Sequence, residues 1–371
     1  MKIAFIGQKG LPANQGGVEK HVEELSTKLA STGFNITVYS RPHYTKSNLK
    51  LYKGVRVINL PSIKTKNLDA ITHTITSSIH ALFQKYDVIH YQGVGPSLMS
   101  WIPKIFSPKT KIVITFHGID RINEKWSGFA KIMLTIGEWT TCNFAHQTIT
   151  VSKELKRYCK SKYNCQAHYI PNAGLIDNTP TIQKTKTAIF KKYQLEPNQY
   201  FLTVSRLAKN KGLDTLIKAY QKSKTNKKLV IAGTGYMDDN YVDTLKDLAK
   251  NNQDIIFTGQ LSGQTLKTIL KNAYLFVQPS ESEGLSIALL EAVNSSVPVL
   301  ISNIPANTET IKDLGLIFKN KSINDLLAKL KVSEKKPIMI KRNAKAIKKI
   351  ADQEYNWNHI AKETGKLYKS K

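Results

Sequence analysis

Cysteine is scarce in this chain, and long apolar runs are missing from it. The three cysteines, Cys142, Cys159 and Cys165, follow no metal-ligand spacing and cannot all pair, which is typical of a reducing cytoplasm. No apolar run approaches the roughly 20 residues that a membrane-spanning helix needs. The first residues, MKIAFIG, predict a strand that enters a glycine loop rather than a signal peptide. The sequence therefore predicts a cytoplasmic protein without a cysteine-based metal site.

Acidic residues are also few. The 371 residues include 27 Asp and Glu against 55 Lys and Arg, a formal net charge of +28 at pH 7. Residues 1–171 hold 23 basic against 9 acidic residues, and the remainder holds 32 against 18. Because this excess is spread evenly, it argues against a dedicated nucleic-acid module, and nucleic acid is not an expected partner. An anionic membrane surface and a lysine-rich coding bias both remain open as its explanation.

The chain does have a regular alternation of short apolar strands and amphipathic helices, which is typical of α/β folds with parallel sheets. The predicted strands of the first half are Lys2–Ile6, Asn35–Ser40, Val55–Leu60, Asp87–Tyr91, Lys111–Phe116, Gln147–Val151 and His168–Ile170. Those of the second half are Tyr200–Val204, Lys228–Ala232, Asp254–Phe257, Tyr274–Val277, Val297–Ile301 and Gly315–Phe318. The predicted helices include Gly17–Ser31, Leu68–Lys85, Gly128–Phe144, Lys186–Tyr193 and most of Ile338–Ser370. A proline-rich break at Pro171–Asn198 predicts two Rossmann-like domains joined near residue 180.

Ligands of open parallel sheets bind beyond the C-terminal ends of the strands, where the loops of this chain carry its unusual residues. After the first strand comes GQKGLPANQGGVEKH, in which Gly16 and Gly17 open a helix that Glu19 joins. Its amides suit a phosphate or a sugar, although a flexible surface loop can have the same composition. The spacing differs from the dinucleotide fingerprint G-x-G-x-x-G, which disfavours NAD. A later loop, IAGTGYMDD, holds Gly233 and Gly235, and a simple glycine turn is its alternative.

Two further loops bring candidate polar side chains to strand ends. His117 follows a strand directly in TFHGIDRINEKW, where it can hydrogen-bond a substrate hydroxyl or be tucked against the sheet edge. Arg206 and Lys211 lie in VSRLAKNKG, and a guanidinium with an ammonium suits a diphosphate leaving group without a metal. Either cation alone is also compatible with a solvated surface position.

The most informative segment is ESEGLSIALLEAV, which ends at Val293. Its Gly-Leu-Ser step predicts a helix start, and the free N–H groups of such a start attract phosphate. Glu283 precedes the helix and Glu291 lies on its second turn, so a carboxylate stands at either end of the phosphate site. This arrangement suits a nucleotide sugar, which has hydroxyls on both sides of a diphosphate. Two solvated glutamates on a surface helix are the alternative.

Together, residues 203–212 and 283–291 and the two glycine loops resemble the retaining glycosyltransferases of family 4 over nearly the whole chain. The resemblance implies the GT-B fold, an α/β architecture in which two Rossmann-like domains face each other across a cleft and a C-terminal helix crosses back. Residues 1–180, with the helix at about 355–371, would form the acceptor-binding domain. Residues 181–354 would bind the nucleotide sugar. The stretches GQKGLPANQGGVEKHVEEL and HGID…KW further resemble a bacterial rhamnosyltransferase-like subgroup of surface-polysaccharide assembly.

The resemblance implies roles for the residues that match the family's motifs. Arg206 and Lys211 would hold the donor diphosphate, while Glu283 would contact hydroxyls of the donor sugar. Glu291 would contact the ribose, and His117 the transferred sugar. Backbone groups of the following residues would also line the donor: Gly16, Gly17, Gly233, Gly235, Gly284, Leu285 and Ser286. The catalytic residues would be His117, Arg206, Lys211 and Glu283.

The acceptor side would include Glu19, Asp120 and Arg121, and no metal or other cofactor is implied. We therefore predict a metal-independent, retaining transfer of a hexose or deoxyhexose from a nucleotide-diphosphate sugar to a glycan or lipid-linked acceptor. A nucleotide-sugar epimerase or another GT-B enzyme is the alternative, and a basic nucleic-acid-binding protein a more distant one. Basic helices within Leu68–Lys85 and Gly128–Lys162 are candidates for contact with an anionic membrane.

Overall fold

The computed structural model describes residues 1–44, 49–65, 68–122, 126–174, 183–235 and 240–370. It divides the chain into two compact units, of which the first is Met1–Asn172 with Trp357–Lys371 and the second is Ala173–Asn356. The first boundary between the units follows Asn172, eight residues before the predicted boundary at residue 180. The chain re-enters the first unit at Trp357, close to residue 355, where the C-terminal helix was predicted to begin. Residues 175–182 of the predicted break are outside the described part of the chain.

The first unit is built on a mainly parallel sheet. Its described strands are β1 (Lys2–Ile6), β2 (Asn35–Ser40), β3 (Leu51–Tyr52), β4 (Val55–Asn59), β5 (Val88–Gln92), β6 (Lys111–Phe116), β7 (Gln147–Thr150) and β8 (His168–Tyr169). They lie in the order β3-β4-β2-β1-β5-β6-β7-β8, and only the β3–β4 pair is antiparallel among these described strands. The strand order reverses between β1 and β5, so their C-terminal ends flank the position where such sheets bind ligands.

Helices cover this sheet on both faces, which is why β5 is buried along its whole length. The helices within Met1–Asn172 are α1 (Gly17–Ser31), α2 (Asp69–Leu82), α3 (Val94–Ser97), α4 (Trp101–Phe106), α5 (Gly128–Asn143) and α6 (Lys153–Tyr163). The right-handed rule for parallel crossovers places α1 on one face and α2 to α6 on the other. The packing of α2 on α4, of α3 on α5 and of α5 on α6 agrees with this arrangement.

The second unit has a parallel sheet of its own. The described strands are β9 (Tyr200–Val204), β10 (Lys228–Ala232), β11 (Ile255–Gly259), β12 (Leu275–Gln278), β13 (Val299–Ser302) and β14 (Leu316–Phe318), in the order β11-β10-β9-β12-β13-β14. The helices are α7 (Gln183–Tyr193), α8 (Leu213–Ser223), α9 (Asn240–Ala249), α10 (Gly263–Lys271), α11 (Ile287–Asn294), α12 (Pro305–Ile311), α13 (Ile323–Lys335) and α14 (Pro337–Glu354). Buried Phe201, Leu216, Leu229 and Leu275 belong to its core. Here the strand order reverses between β9 and β12.

The last helix, α15 (Trp357–Lys369), returns to the first unit, as predicted for the C-terminal helix. It packs on α1. Tyr368 is fully buried there, with its hydroxyl 2.6 Å from His90 Nδ1. Lys111 Nζ, at the start of β6, donates to the carbonyl of Leu367 at 2.7 Å and so satisfies the end of the helix.

The predicted strands are confirmed with shifts of one or two residues at several ends, for example Val299 rather than Val297 at the start of β13. The hairpin strand β3 was not predicted, because a strand of only two residues carries no readable periodicity.

The backbone of the loop after β10 lies very close to the backbone of the loop after β9, and this contact constrains its conformation. Gly233 has φ +144°, and a Cβ at this position would collide with the carbonyl oxygen of Ser205. Its N–H donates to the carbonyl of Gly259 at 2.8 Å. Gly259 also has a positive φ, of +69°, but open space where its Cβ would be. Only glycine fits at residue 233 without a shift of the neighbouring loop.

We expect Gly233→Ala to lower the free energy of unfolding by about 3 kcal/mol, because positive φ and a backbone collision act together. Gly259→Ala is the matched control and should cost only about 1 kcal/mol, for the positive φ alone. Urea denaturation of both variants measures the difference. Equal losses in the two variants would show that the Ser205 contact does not constrain the loop.

Candidate functional site

In the second unit, a lysine and a glutamate from different loops meet where the strand order reverses. Lys211 lies in the loop after β9 and Glu283 in the loop after the neighbouring β12. Lys211 Nζ donates to Glu283 Oε1 at 2.6 Å, and the two side chains are only 13% and 11% exposed. The parallel sheet therefore brings together two charged residues that the sequence places far apart.

Glu283 is held by more than Lys211. Its Oε1 also accepts from Gln278 Nε2 at 2.9 Å and from Ser280 Oγ at 2.7 Å, and both of these residues are buried. All three bonds end on Oε1, so Oε2 takes no part in them. An ammonium has three N–H donors, so Lys211 retains donors beyond the one it gives to Glu283. A fixed carboxylate beside such a cation can bind a hydroxyl and a phosphate side by side.

Backbone contacts join the two loops. Glu281 N donates to the carbonyl of Asn210 at 2.9 Å. Gly212 has φ +62°, and a Cβ on it would collide with the carbonyl oxygen of Pro279. The 3-10 turn Lys209–Lys211 thus lies directly against the segment that carries Glu283. Arg206 occupies an exposed position on the same loop, and its predicted contact with a diphosphate stays a prediction.

The helix start predicted after Glu283 is confirmed. Ser286 is the N-cap of α11, and its Oγ accepts from Leu289 N at 3.2 Å. The first N–H groups of a helix have no partner within it, so this end suits an anion. Glu291 lies within α11 and is only 6% exposed. The alternative of two solvated glutamates is therefore wrong, because both carboxylates are largely removed from water.

In the first unit, His117 follows β6 directly, at the C-terminal edge of the sheet. Its Nε2 is 2.9 Å from Oε1 of Gln92, the last residue of β5. An amide oxygen only accepts, so the hydrogen-bond network assigns the proton to Nε2 and leaves Nδ1 as an acceptor. Burial, with the nearby imidazoles of His21 and His90, holds the pKa of His117 well below its ordinary value. A neutral ring here accepts from a hydroxyl rather than donating a proton.

His21 and His90 form a cluster of buried histidines with His117. The His21 ring meets it edge-on, with centroids 4.8 Å apart, and His21 Nδ1 is 2.7 Å from Asn172 Oδ1. Burial lowers the pKa of His21 to about 4, partly offset by that hydrogen bond. The pKa of His90, which is fully buried, also lies well below its ordinary value. Sequence patterns did not identify this cluster, because its members come from separate elements.

The glycine loop after β1 is organised by a glutamate. Gly16 is the N-cap of α1 with φ +100°, and Gly17 is the first helical residue. Glu19 is 7% exposed, its Oε1 accepts from Lys9 N at 3.2 Å, and its carboxylate lies against Gly16. The structure thus gives Glu19 a loop-holding position, and its contact with an acceptor stays a prediction.

The other residues predicted for the acceptor side lie in the 3-10 turn Asp120–Ile122. Asp120 is exposed, whereas Arg121 Nε donates to both oxygens of the buried Glu138, at 3.0 and 3.2 Å. Residues 123–125 of the same motif lie outside the described residues. Within the described ranges, no group of three or more His, Cys, Asp and Glu residues could hold a metal ion. A search of the same ranges for a helix long and apolar enough to cross a membrane also finds none.

Family models match both halves of the chain. The model described as Glycosyltransferase Family 4 matches residues 15–173, and that of Glycosyl transferases group 1 matches residues 185–352. An uncharacterized glycosyltransferase of Methanocaldococcus jannaschii is 28% identical, covering 100% of this chain and 98% of that protein. The O-antigen biosynthesis glycosyltransferase WclY of Escherichia coli is 24% identical, covering 73% of this chain and 76% of its own length.

Solved structures of other proteins have a similar fold. Sucrose-phosphate synthase from Thermosynechococcus elongatus has a TM-score of 0.83 at 20% identity, over 99% of this chain and 98% of that one. HepE of Anabaena, solved in complex with UDP and glucose, has a TM-score of 0.83 at 16% identity, over 100% of both chains. At such low identity these matches are evidence of the fold alone.

The neutral histidine cluster predicts a loss of stability in mild acid. The folded pKa of His21 is about 4 and its ordinary pKa is 6.5, so the unfolded chain binds more protons between these values. Stability should therefore fall as the pH drops from 6.5 towards 4, by about 3 kcal/mol from His21 alone. Urea denaturation at pH 7, 5 and 4 measures this dependence.

His21→Gln should reduce that dependence by the His21 share, since glutamine does not titrate, while His90 and His117 retain theirs. His359→Gln, at an exposed position of α15, is the matched control and should leave the wild-type slope unchanged. The same acid dependence in wild type and His21→Gln would show that His21 is not held neutral by the fold.

Proposed function

This chain belongs to the GT-B glycosyltransferases of the family 4 type, and from that premise we propose how it uses its sites. It moves a hexose or deoxyhexose from a nucleotide-diphosphate sugar to a glycan or lipid-linked acceptor, with retention of configuration at the anomeric carbon. The observation that carries this proposal is the Lys211–Glu283 pair at the point where the second sheet reverses its strand order. The O-antigen relative favours a role in cell-surface polysaccharide assembly.

The proposed donor site uses the loops of the second unit. Lys211 and Arg206 hold the diphosphate together with the N–H groups that begin with Gly284 and continue into α11. Glu283 holds hydroxyls of the donor sugar through Oε2, and Glu291 contacts the ribose. Gly233 and Gly235 let the loop after β10 approach the nucleotide closely. The complex of HepE with UDP and glucose supports a nucleotide sugar as the class of donor.

The proposed chemistry is electrostatic. The acceptor hydroxyl bonds to the anomeric carbon on the face from which the diphosphate departs, and an oxygen of the leaving phosphate takes the acceptor proton. Lys211 and the helix-start amides stabilise the negative charge that grows on the leaving group, without a metal. Glu283 is a poor nucleophile, because its Oε1 already binds an ammonium and two further donors. In the first unit, His117 Nδ1 accepts from a hydroxyl of the transferred sugar.

Nucleotide binding and turnover test the donor site. One of UDP, GDP, dTDP or CDP should stabilise the wild type by about 2.7 kcal/mol at 100 times its dissociation constant. Lys211→Ala should lose most of that stabilisation and lower turnover by on the order of 10²-fold, as lost transition-state charge contacts do. Lys222→Ala removes an exposed charge from α8 and serves as the matched control. Thermal denaturation and a transfer assay with NMR of the product anomer are the measurements.

Turnover of Lys211→Ala within about threefold of wild type would remove this residue from the mechanism. An inverted product would contradict retention. Epimerisation of the donor in the absence of any acceptor would favour the nucleotide-sugar epimerase instead.

An apolar surface of the first unit suggests where the acceptor comes from. Phe129, Ile132, Ile136 and Trp139 follow one another at helical spacing along α5 and are between 44% and 75% exposed. Lys104 Nζ of α4 donates to the carbonyl of Phe144 at 2.9 Å, so α4 adjoins the end of α5. The α4–α5 surface comprises Trp101, Ile105, Phe106, Phe129, Ile132, Ile136 and Trp139, all exposed. Contiguous apolar patches are uncommon on soluble monomers and mark interaction sites, so the exposed apolar face of α5 is a candidate for one.

Exposed basic residues are found on α5 itself and on the neighbouring helix α6. Lys131 is exposed on α5, and α6, which packs against α5, presents exposed Lys153, Lys156, Arg157 and Lys160. Cations beside an apolar surface complement an anionic bilayer, where the apolar side chains enter the interface and the cations meet headgroups. We therefore propose that the α4–α5 surface rests on an anionic membrane that presents a lipid-linked acceptor.

Sedimentation with lipid vesicles tests the membrane contact without any substrate. The wild type should sediment with anionic vesicles and much less with neutral ones at moderate salt. Ile132→Ser with Ile136→Ser should weaken sedimentation, because the interfacial contact is lost. Ile338→Ser, at an exposed apolar position of the second unit, is the matched control. Equal sedimentation with both lipids would contradict the proposal. A wild-type dimer that the double variant Ile132→Ser with Ile136→Ser no longer forms would also contradict it, because the surface would then be a dimer interface.

A further inference from the structure

Glu138 of α5 is a fully buried carboxylate outside the residues predicted for the site. Arg121 Nε donates to its two oxygens at 3.0 and 3.2 Å. The hydroxyls of Tyr158 and Tyr163 donate to its Oε2 at 2.6 and 2.7 Å, and Lys162 Nζ lies 3.5 Å from the same atom. A buried charge is retained only where partners of this kind compensate for lost hydration.

This network joins the turn after His117 to two helices. Arg121 belongs to the 3-10 turn Asp120–Ile122, Glu138 to α5, and Tyr158 to α6. Arg121 Nη2 also donates to the hydroxyl of Tyr158 at 2.9 Å, which closes a ring of charge-assisted bonds. Burial also raises the pKa of Tyr163, so its hydroxyl keeps its proton and donates it to the hydrogen bond with Glu138.

The network limits the freedom of the segment that carries His117. At one end Phe116 is buried in β6 and paired with β7. At the other end Arg121 is held by Glu138. The short segment between these anchors is restrained at both ends, so removal of the ion pair should increase its freedom.

We propose that Glu138 is a positioning residue for the transfer reaction: it fixes Arg121 and, through it, the segment from His117 to Ile122. The inference rests on the proposed function, in which that segment faces the transferred sugar and the acceptor. Glu138 itself touches no substrate. Its effect should therefore appear in the use of the acceptor and not in the binding of the nucleotide.

A double-mutant cycle tests this dependence. Glu138→Gln should lower kcat/KM for the acceptor by on the order of tenfold or more, as small misplacements in a site do. Arg121→Ala should lower it by a similar factor, and the double variant should be no worse than Arg121→Ala alone. Tyr163→Phe removes one bond to Glu138 while leaving Arg121 in place, so it should stay close to wild type. Additive losses, or unchanged kinetics in Glu138→Gln, would overturn the proposal.

Two measurements separate this inference from the proposed function. Stabilisation by the nucleoside diphosphate should be the same in Glu138→Gln and wild type, since Lys211, Arg206 and Glu291, which are proposed to hold the nucleotide, belong to the second unit. Hydrogen exchange needs no substrate: peptides covering residues 117–122 should exchange faster in Glu138→Gln, with no change in the second unit. Unchanged exchange in those peptides overturns the positioning role, whereas a wild type that transfers no sugar contradicts the proposed function alone.

Discussion

Both sheets are covered on both faces. Polar side chains that could bind a ligand are therefore confined to one edge of each sheet, the edge formed by the C-terminal ends of the parallel strands. Strands β5, β12 and β13 are buried at every residue, so their side chains cannot meet a ligand along the strand. Parallel strands all end at the same edge, and the loops there are the first places where a polar side chain can reach water. His117 in one unit and the Lys211–Glu283 pair in the other occupy this edge. The position of the sites is thus a consequence of the sheet architecture.

Few carboxylates are available in a chain with a net charge of +28, and three of them organise the loops at these edges. Glu19 holds the glycine loop, Glu138 holds the turn after His117, and Glu283 stands at the reversal point of the second sheet. Each carboxylate accepts hydrogen bonds from backbone amides or from basic or hydroxyl side chains of its own unit. Its negative charge is therefore compensated within that unit. Most cations of the chain have no such carboxylate to pair with, because the excess is 28, and the exposed cations of α5 and α6 belong to that excess.

Local signals in the sequence were sufficient for much of the fold but only for part of the site. The bounds of α1 and β9 and the helix start at Ser286 were predicted correctly, because periodicity and capping are properties of neighbouring residues. The partners of Glu283 and the Arg121–Glu138 network were missed, since contacts between distant segments leave no such signal. Gln278 and Ser280 offered a weak clue, being polar residues at the end of a buried strand. The roles inferred from family resemblance stay predictions.

The return of the chain to its first unit brings α15 against the histidines that neighbour His117. Trp357 at the start of α15 meets the His21 ring edge-on, with centroids 5.7 Å apart, and His21 in turn lies against His117. Further along the helix, Tyr368 is bonded to His90. Burial is the main cause of the low pKa of His117, and smaller contributions come from the imidazoles of His21 and His90. Residues at the far end of the sequence thus contact both histidines whose imidazoles act on the pKa of His117. Through these contacts, a C-terminal helix that follows the second unit completes the packing of the first.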